Sequence, residues 1–429
     1  MPTGGWGGYK LRLRLISPHP SFGHLPPEGE GFLAALQFKI ICFILFFSQF
    51  FISAYATQNH FLIAPSCLIK NISAPYNILA QNHSLVLLQT TQLQTFIQVK
   101  SPSCGGFFDV TEEWQANSYN AKLFLQKFTQ PLITKNSLRQ LALHYPDQVA
   151  ALYKQINSTQ LWNDLTEFTN SNLFPDRFPN SYTGIYAAIW LQTKIAAIAN
   201  ENHRNDVTIR TVATGRMYQQ PSVVVKIGNN NEPGIVLGAH MDTLRATSKN
   251  FKPGADDDGS GCMVVLNIAR TLLQSGMTFK KPIYIIWYAA EESGLNGSQM
   301  VAKDFRTIPV AAVLQFDMTA YAPLNDRTIW LVQDNTNPEL TTFLANLITT
   351  YVQTPFNMTK CGYACSDHAS WTKAGIPAAF PFEADVWHHK ENPFAHTSRD
   401  TIDRLSPPHM TDFLKLGLAF AVELAEPMQ

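Results

Sequence analysis

Charge is scarce in this sequence. Only 15% of its 429 residues are Asp, Glu, Lys or Arg, and Asn, Gln, Ser and Thr fill the polar surface instead, a balance that suits an exported protein more than a cytosolic enzyme. Neither sign dominates, since 32 Lys and Arg face 32 Asp and Glu. That excludes the basic footprint of a nucleic-acid binder and an acidic tail. Internal repeats and low-complexity tracts are also missing. The apolar run at 40–52, broken by Ser48 and Gln49, falls short of the roughly 20 residues a spanning helix needs. At this length the chain accommodates one large α/β domain plus an extra segment.

What the N-terminus does have is the make-up of an export signal. Lys39 precedes the apolar run, and Ala54-Tyr55-Ala56 follows it. A cation, an apolar core and an A-x-A site together predict a signal peptide over 37–56, cleaved after Ala56. A retained anchor is the competing reading. Residues 1–36 are rich in Gly and Pro and carry Lys10, Arg12 and Arg14 without apolar periodicity; they are expected to be an upstream extension ahead of the true start. Of the six cysteines, Cys42 leaves with the signal. Cys361 and Cys365 form a close pair in CGYAC, Cys67 with Cys104 could close a loop, and Cys262 falls on an apolar helical face as a buried thiol. An oxidising compartment admits both disulfides.

Short β-prone stretches fill 57–126, which is expected to be a small separate segment, a propeptide or accessory unit without chemistry of its own. From 127 to 429 the pattern becomes that of a catalytic domain. LRQLALHYPDQVAALYKQI and IYAAIWLQTKIAAIANEN repeat apolar residues at helical spacing. VTIRTVATG, PSVVVKIGN and GIVLGAH read as strands, and IYIIWYA is apolar throughout, as in a strand buried on both faces. Strands alternating with helices predict an α/β fold: a three-layer helix-sheet-helix sandwich around a mostly parallel mixed sheet.

The chemistry lies at strand ends. GIVLGAH ends at His240, IYIIWYAA delivers Glu291 and Glu292, and AAVLQF leads into Asp317. Ligands of open α/β sheets collect at the carboxyl ends of strands. Acidic residues repeatedly ending apolar strands would repel one another unless cations sit among them. Two imidazoles, His240 and His396, together with carboxylates form a set that binds zinc. Asp242, two residues from His240, is placed to orient that ring. The triplet Asp256-Asp257-Asp258 sits between glycines before a helix, where one carboxylate can bridge metals while another caps the helix. Adjacent Glu291 and Glu292 cannot point the same way on an extended backbone, so one can bind metal while the other acts as a base.

The strings GAHMDT, PGADDDGSG, YAAEESGLNGSQ, LQFDMT, CGYACSDHASW and HTSRDT occur in order from about Thr159 to Asp403. In this the chain resembles the secreted bacterial leucyl aminopeptidases, two-zinc exopeptidases with a phosphorylase/hydrolase-like α/β fold. The resemblance implies that His240 and Asp317 hold one zinc, Glu292 and His396 the other, and that Asp257 bridges them. It implies Glu291 as general base, Asp242 as the support of His240, a Cys361–Cys365 disulfide, and Tyr363 as donor to the reacting carbonyl oxygen. The substrates it implies are peptides with a free N-terminus, and a secreted monomer with no stable membrane association after signal cleavage is expected.

Met318, Phe380 and Phe382 fall where such enzymes line an apolar pocket for the first side chain; ordinary core packing is the alternative for each. The ADVWHHKE loop is about two residues longer than the leucyl-preferring pattern, and Asp385, His388 and His389 make it polar. Asp385 is therefore a candidate for favouring a basic N-terminal residue, with a solvated loop charge as the alternative. Other functions on the same scaffold are a carboxypeptidase, a glutaminyl cyclase or a non-catalytic binding domain. The complete ligand set argues against the last two. No Arg or Lys in the motif segments is poised for a substrate carboxylate, which argues against the first.

Overall fold

Strict alternation of two kinds of apolar residue builds the central sheet. In the strands β6 (Ser222–Ile227), β7 (Gly234–His240) and β8 (Ile283–Tyr288), successive side chains point to opposite faces. Val223, Val225, Ile235, Leu237, Ile283, Ile285 and Trp287 join one core, whereas Val224, Val236, Tyr284, Ile286 and Tyr288 join another. This computed structural model describes residues 58–98, 106–116, 120–129 and 142–428. The expected signal peptide, upstream extension and Cys104 lie outside them.

Six strands make the main sheet. With β5 (Val207–Val212), β9 (Val310–Gln315) and β12 (Ala378–Ala379), the order is β12-β9-β7-β8-β6-β5. β12, β9, β7 and β8 run parallel, while β6 pairs antiparallel with both β8 and β5. Helices Tyr182–Glu201, Gly261–Gln274 and Pro407–Ala425 contribute to the first core, and Asn296–Asp304 and His368–Lys373 to the second. The three layers and the mostly parallel mixed sheet are those expected. A smaller sheet of β10 (Ile329–Val332), β11 (Phe356–Thr359) and β13 (Pro381–Phe382) holds TIWLV, the run after AAVLQF. Among the described residues no helix is long and apolar enough to cross a membrane.

The N-terminal stretch forms its own antiparallel sheet, order β2-β3-β1-β4, from β1 (His60–Pro65), β2 (Tyr76–Gln81), β3 (Leu85–Thr90) and β4 (Phe108–Asp109). It does not stand apart as a separate segment. From Gln58 onward the chain is one compact unit, and one apolar face of this sheet is covered by the catalytic region. Ile63, Leu87 and Phe108 pack with Leu295 and Ala369 of the catalytic region, and the Asp109 amide donates to Gly294 O at 3.1 Å.

Candidate metal centre and active site

Parallel pairing of β7, β8 and β9 puts their carboxyl ends on one edge. His240, the last residue of β7, lies opposite Tyr288, the last of β8, and Gly238 lies opposite Gln315, the last of β9. Asp317 follows two residues later, and the chain leaves β8 and β9 through a left-handed backbone. Ala290 (φ 52°) precedes Glu291 and Met318 (φ 57°) follows Asp317. His396 itself has φ 63°. Such conformations persist where surrounding contacts fix them, and they cluster at functional sites.

The three aspartates of the triplet divide their work. Asp258 accepts from the Gly261 amide at 2.9 Å, capping the helix, and from the Met318 and His240 amides at 3.2 and 3.1 Å. Asp256 accepts from Asn392 Nδ2 at 3.0 Å and the Ala320 amide at 3.2 Å. Asp257 reaches the imidazoles: its Oδ1 is 3.1 Å from His240 Nε2 and its Oδ2 3.0 Å from His396 Nε2. Glu292 Oε2 lies 2.9 Å from His396 Nε2, and Asp317 Oδ1 3.5 Å from His240 Nε2.

Two donor sets result, His240–Asp257–Asp317 and Asp257–Glu292–His396, each with its atoms within 4.8 Å of one another, and Asp257 belongs to both. Nitrogen and carboxylate oxygen donors in threes suit zinc with a position left for substrate or water. The electrostatics agree. Burial works against charge on His240, yet Asp317, Asp242 and Asp257 outweigh it and hold its pKa well above the ordinary value. For His396 burial is likewise outweighed, by Glu292 and Asp257. Protons on both rings stand where divalent cations would neutralise the same carboxylates.

Asp242 does more than the expected support of one ring. It lies 3.5 Å from His240 Nδ1 and accepts from the Glu291 and Glu292 amides at 2.9 and 3.3 Å, so one buried carboxylate orients the imidazole and the two-glutamate turn together. Burial, reinforced by Asp367, Asp317 and Glu292 against His240, pushes the Glu291 carboxyl well up. Tyr363 lies between Cys361 and Cys365, which form a disulfide with Cα atoms 6.1 Å apart. Burial, with Glu291 next, raises its phenol, which stays a proton donor. Cys67 is also disulfide-bonded, and Cys262 is free, buried, and donates to His240 O at 3.0 Å.

These groups floor a cavity of about 320 Å³. Its lining includes Asp257, Glu291, Glu292, Asp317, Tyr363 and His396, with Met318, Phe382 and Val386 as an apolar flank. Two expected pocket residues are elsewhere. Phe380 sits behind Phe382, edge to face at 5.5 Å, and packs on His368. Asp385 is outside the lining because its carboxylate is taken up by β11 and by its own loop, accepting from Thr359 Oγ1 at 2.8 Å and lying 2.6 Å from His388 Nδ1.

Some site residues carried no readable signal. Arg177 is fully buried and donates to Met241 O and Gly254 O, both at 2.8 Å, tying together the turns that present Asp242 and Asp257. Nothing in the string FPDRFP announces this. Asp400 accepts from the Asp256 and Asp257 amides at 3.1 Å each; it lies within HTSRDT, so the motif that gave His396 could have exposed it. Phe96, Ile97, Gly106 and Phe107 of the N-terminal region also line the cavity.

An α/β sandwich gathering imidazoles and carboxylates at the edge of its parallel strands, inside a cavity, defines the class of metallohydrolases. Residues 222–421 match the model of peptidase family M28. Leucine aminopeptidase 1 of Penicillium rubens is 33% identical over 338 residues, 74% of this chain and 83% of that protein. The crystal structure of the LapA aminopeptidase of Legionella pneumophila is similar with TM-score 0.79 and 40% identity, covering 87% of this chain and all of that one. An aminopeptidase from Aneurinibacillus, 14% identical with TM-score 0.53, shares the fold over 66% of this chain and 97% of its own. The chain belongs to peptidase family M28, and within it to the group that holds these aminopeptidases.

Proposed function

We propose that this protein is a secreted, two-zinc aminopeptidase that hydrolyses the N-terminal peptide bond of peptides and proteins. The observation that carries the proposal is the sharing of Asp257 between two donor sets, which fits a pair of cations held by His240 and Asp317 on one side and Glu292 and His396 on the other. Zinc in those sets supplies Lewis acidity, which acidifies water and polarises the scissile carbonyl. The chain's own groups do the rest. Glu291, held by the Asp242 contact to its amide, accepts the proton of the attacking water and passes it to the leaving amine. Tyr363 donates to the carbonyl oxygen as negative charge develops there. Met318 and Phe382 offer an apolar surface to the first side chain. Export is supported by Lys39, the 40–52 run and Ala54-Tyr55-Ala56, and the substrates are peptides with a free N-terminus, met by a monomer.

The test is a panel of aminoacyl amides and their N-acetylated counterparts on the purified secreted protein. Cleavage of free-amine substrates alone, lost with a chelator and restored by zinc at about two ions per chain, is the expected result. Full cleavage by protein holding no bound ion overturns the metal mechanism, and equal cleavage of N-acetylated substrates overturns the aminopeptidase reading.

A further inference from the structure

The N-terminal region reaches into the site through Phe96 and Ile97 of the helix Leu93–Gln98 and through Gly106 and Phe107, just before β4. Gly106, at φ +74°, lies against the Tyr363 ring so closely that a Cβ there would fall 2.5 Å from its Cδ2 and 2.7 Å from its Cε2. Phe107 packs on Gly294, where a Cβ would meet Phe107 Cε2 at 2.8 Å. The amides of Gly294 and Leu295 both donate to Glu291 O at 2.9 Å. A continuous line of contacts thus runs from the N-terminal region to the turn of Glu291 and to Tyr363.

The same region supplies an apolar wall. Phe96, Ile97 and Phe107 line the cavity beside Leu295, and the Phe96 and Phe107 rings meet edge to face at 6.3 Å, which braces them. A second apolar flank, Met318, Phe382 and Val386, belongs to the catalytic fold. A peptide bond cut at the carboxylate floor has a side chain on either side, and there are two walls to receive them. In the function proposed above, Glu291 hands its proton to the leaving amine, so its turn borders the departing chain. Phe107 is packed on that turn. The Aneurinibacillus fold is matched almost whole by 66% of this chain, whereas the Legionella LapA match extends over 87%.

We infer that the N-terminal sheet stays with the mature enzyme and that Phe96, Ile97 and Phe107 form the subsite for the residue after the scissile bond, selecting peptides whose second residue is apolar. The inference rests on the aminopeptidase reading. A leucine there contacts the wall, and a glycine leaves it without a partner. An apolar wall of this kind gives about a tenfold preference.

The experiment uses the active secreted enzyme, its N-terminus defined by sequencing and intact mass. It compares kcat/KM on leucyl-leucinamide and leucylglycinamide, with leucinamide, which has no second residue, measured alongside. The wild type should retain the sheet and favour leucyl-leucinamide about tenfold, and Phe107→Ala should bring the ratio to within about twofold of one. Because Phe107→Ala can disturb the sheet, Ile97→Ala is run in parallel and should lower the same ratio. A wild-type ratio near one, a ratio unchanged in every variant that folds, or a fully active enzyme lacking residues 58–116 overturns the inference. Failure of the wild type to cleave leucinamide and both dipeptide amides defeats the aminopeptidase reading itself.

Discussion

Three consecutive aspartates, Asp256, Asp257 and Asp258, are chemically identical and end in three environments. Asp258 is saturated by backbone amides, Asp256 by Asn392 and an amide, and only Asp257 meets imidazoles on both oxygens. Adjacent Glu291 and Glu292 separate likewise: Glu292 is drawn to His396 at 2.9 Å, leaving Glu291 without an imidazole contact at such a distance. A carboxylate in the cavity but outside both donor sets has the position of a base rather than a ligand. Glu291→Gln, which keeps the shape and removes the proton acceptor, should lower kcat by about 10²–10⁴-fold while bound zinc, measured by elemental analysis, stays at the wild-type level. Loss of zinc along with activity would instead make Glu291 a ligand.

At the scale of elements, the site depends on how closely β7 approaches the aromatic side chains at the end of β8. Gly238 in β7 leaves room for the Tyr288 ring: a Cβ there would sit 2.5 Å from its Cε2 and 2.6 Å from its hydroxyl. That hydroxyl accepts from Trp371 Nε1 at 2.8 Å, and Trp371 belongs to the helix His368–Lys373, which begins just beyond the Cys361–Cys365 loop. Gly238→Ala must therefore displace a buried aromatic pair rather than a flexible tip. It should cost about 1–3 kcal/mol, read as a lowered midpoint in denaturant unfolding with an unchanged slope. An unchanged midpoint would mean that the ring moves aside freely.

For the whole molecule, the concentration of buried acid at one sheet edge makes stability depend on cations and on pH. Burial, before any neighbouring charge, raises Asp256 to about 6, Asp367 to about 7 and Asp400 to about 8, and His240 and His396 are raised as well. Asp257 alone in this group moves down, its burial outweighed by His396 and His240. A group whose folded pKa exceeds its unfolded one binds more protons when folded, so the stability it holds is lost as the pH climbs through the folded value. The chelator-treated protein should then melt at progressively lower temperature from about pH 4, the ordinary Asp value, to about pH 8, the window set by those three carboxyls. Zinc should raise the profile, since it binds the folded donor sets and takes the place of the protons on His240 and His396. A metal-free melting temperature that rises across this window would contradict the assignment.

The sequence alone determined the layers and most of the donor set. Period-two alternation and helical spacing are local and survive in one dimension, and residues such as His240 and Asp317 are readable because strand ends bring them to a known edge. Tertiary structure decided the features that depend on packing across distance. It chose which aspartate of the triplet faces the imidazoles, buried Arg177 against two turns far from it in the chain, and turned Asp385 into its own loop and Phe380 behind Phe382. It also pressed the N-terminal region, whose sequence shows only β-propensity, against Tyr363 and the Glu291 turn. Apolar faces say that a segment must be covered, and only the folded chain says by what.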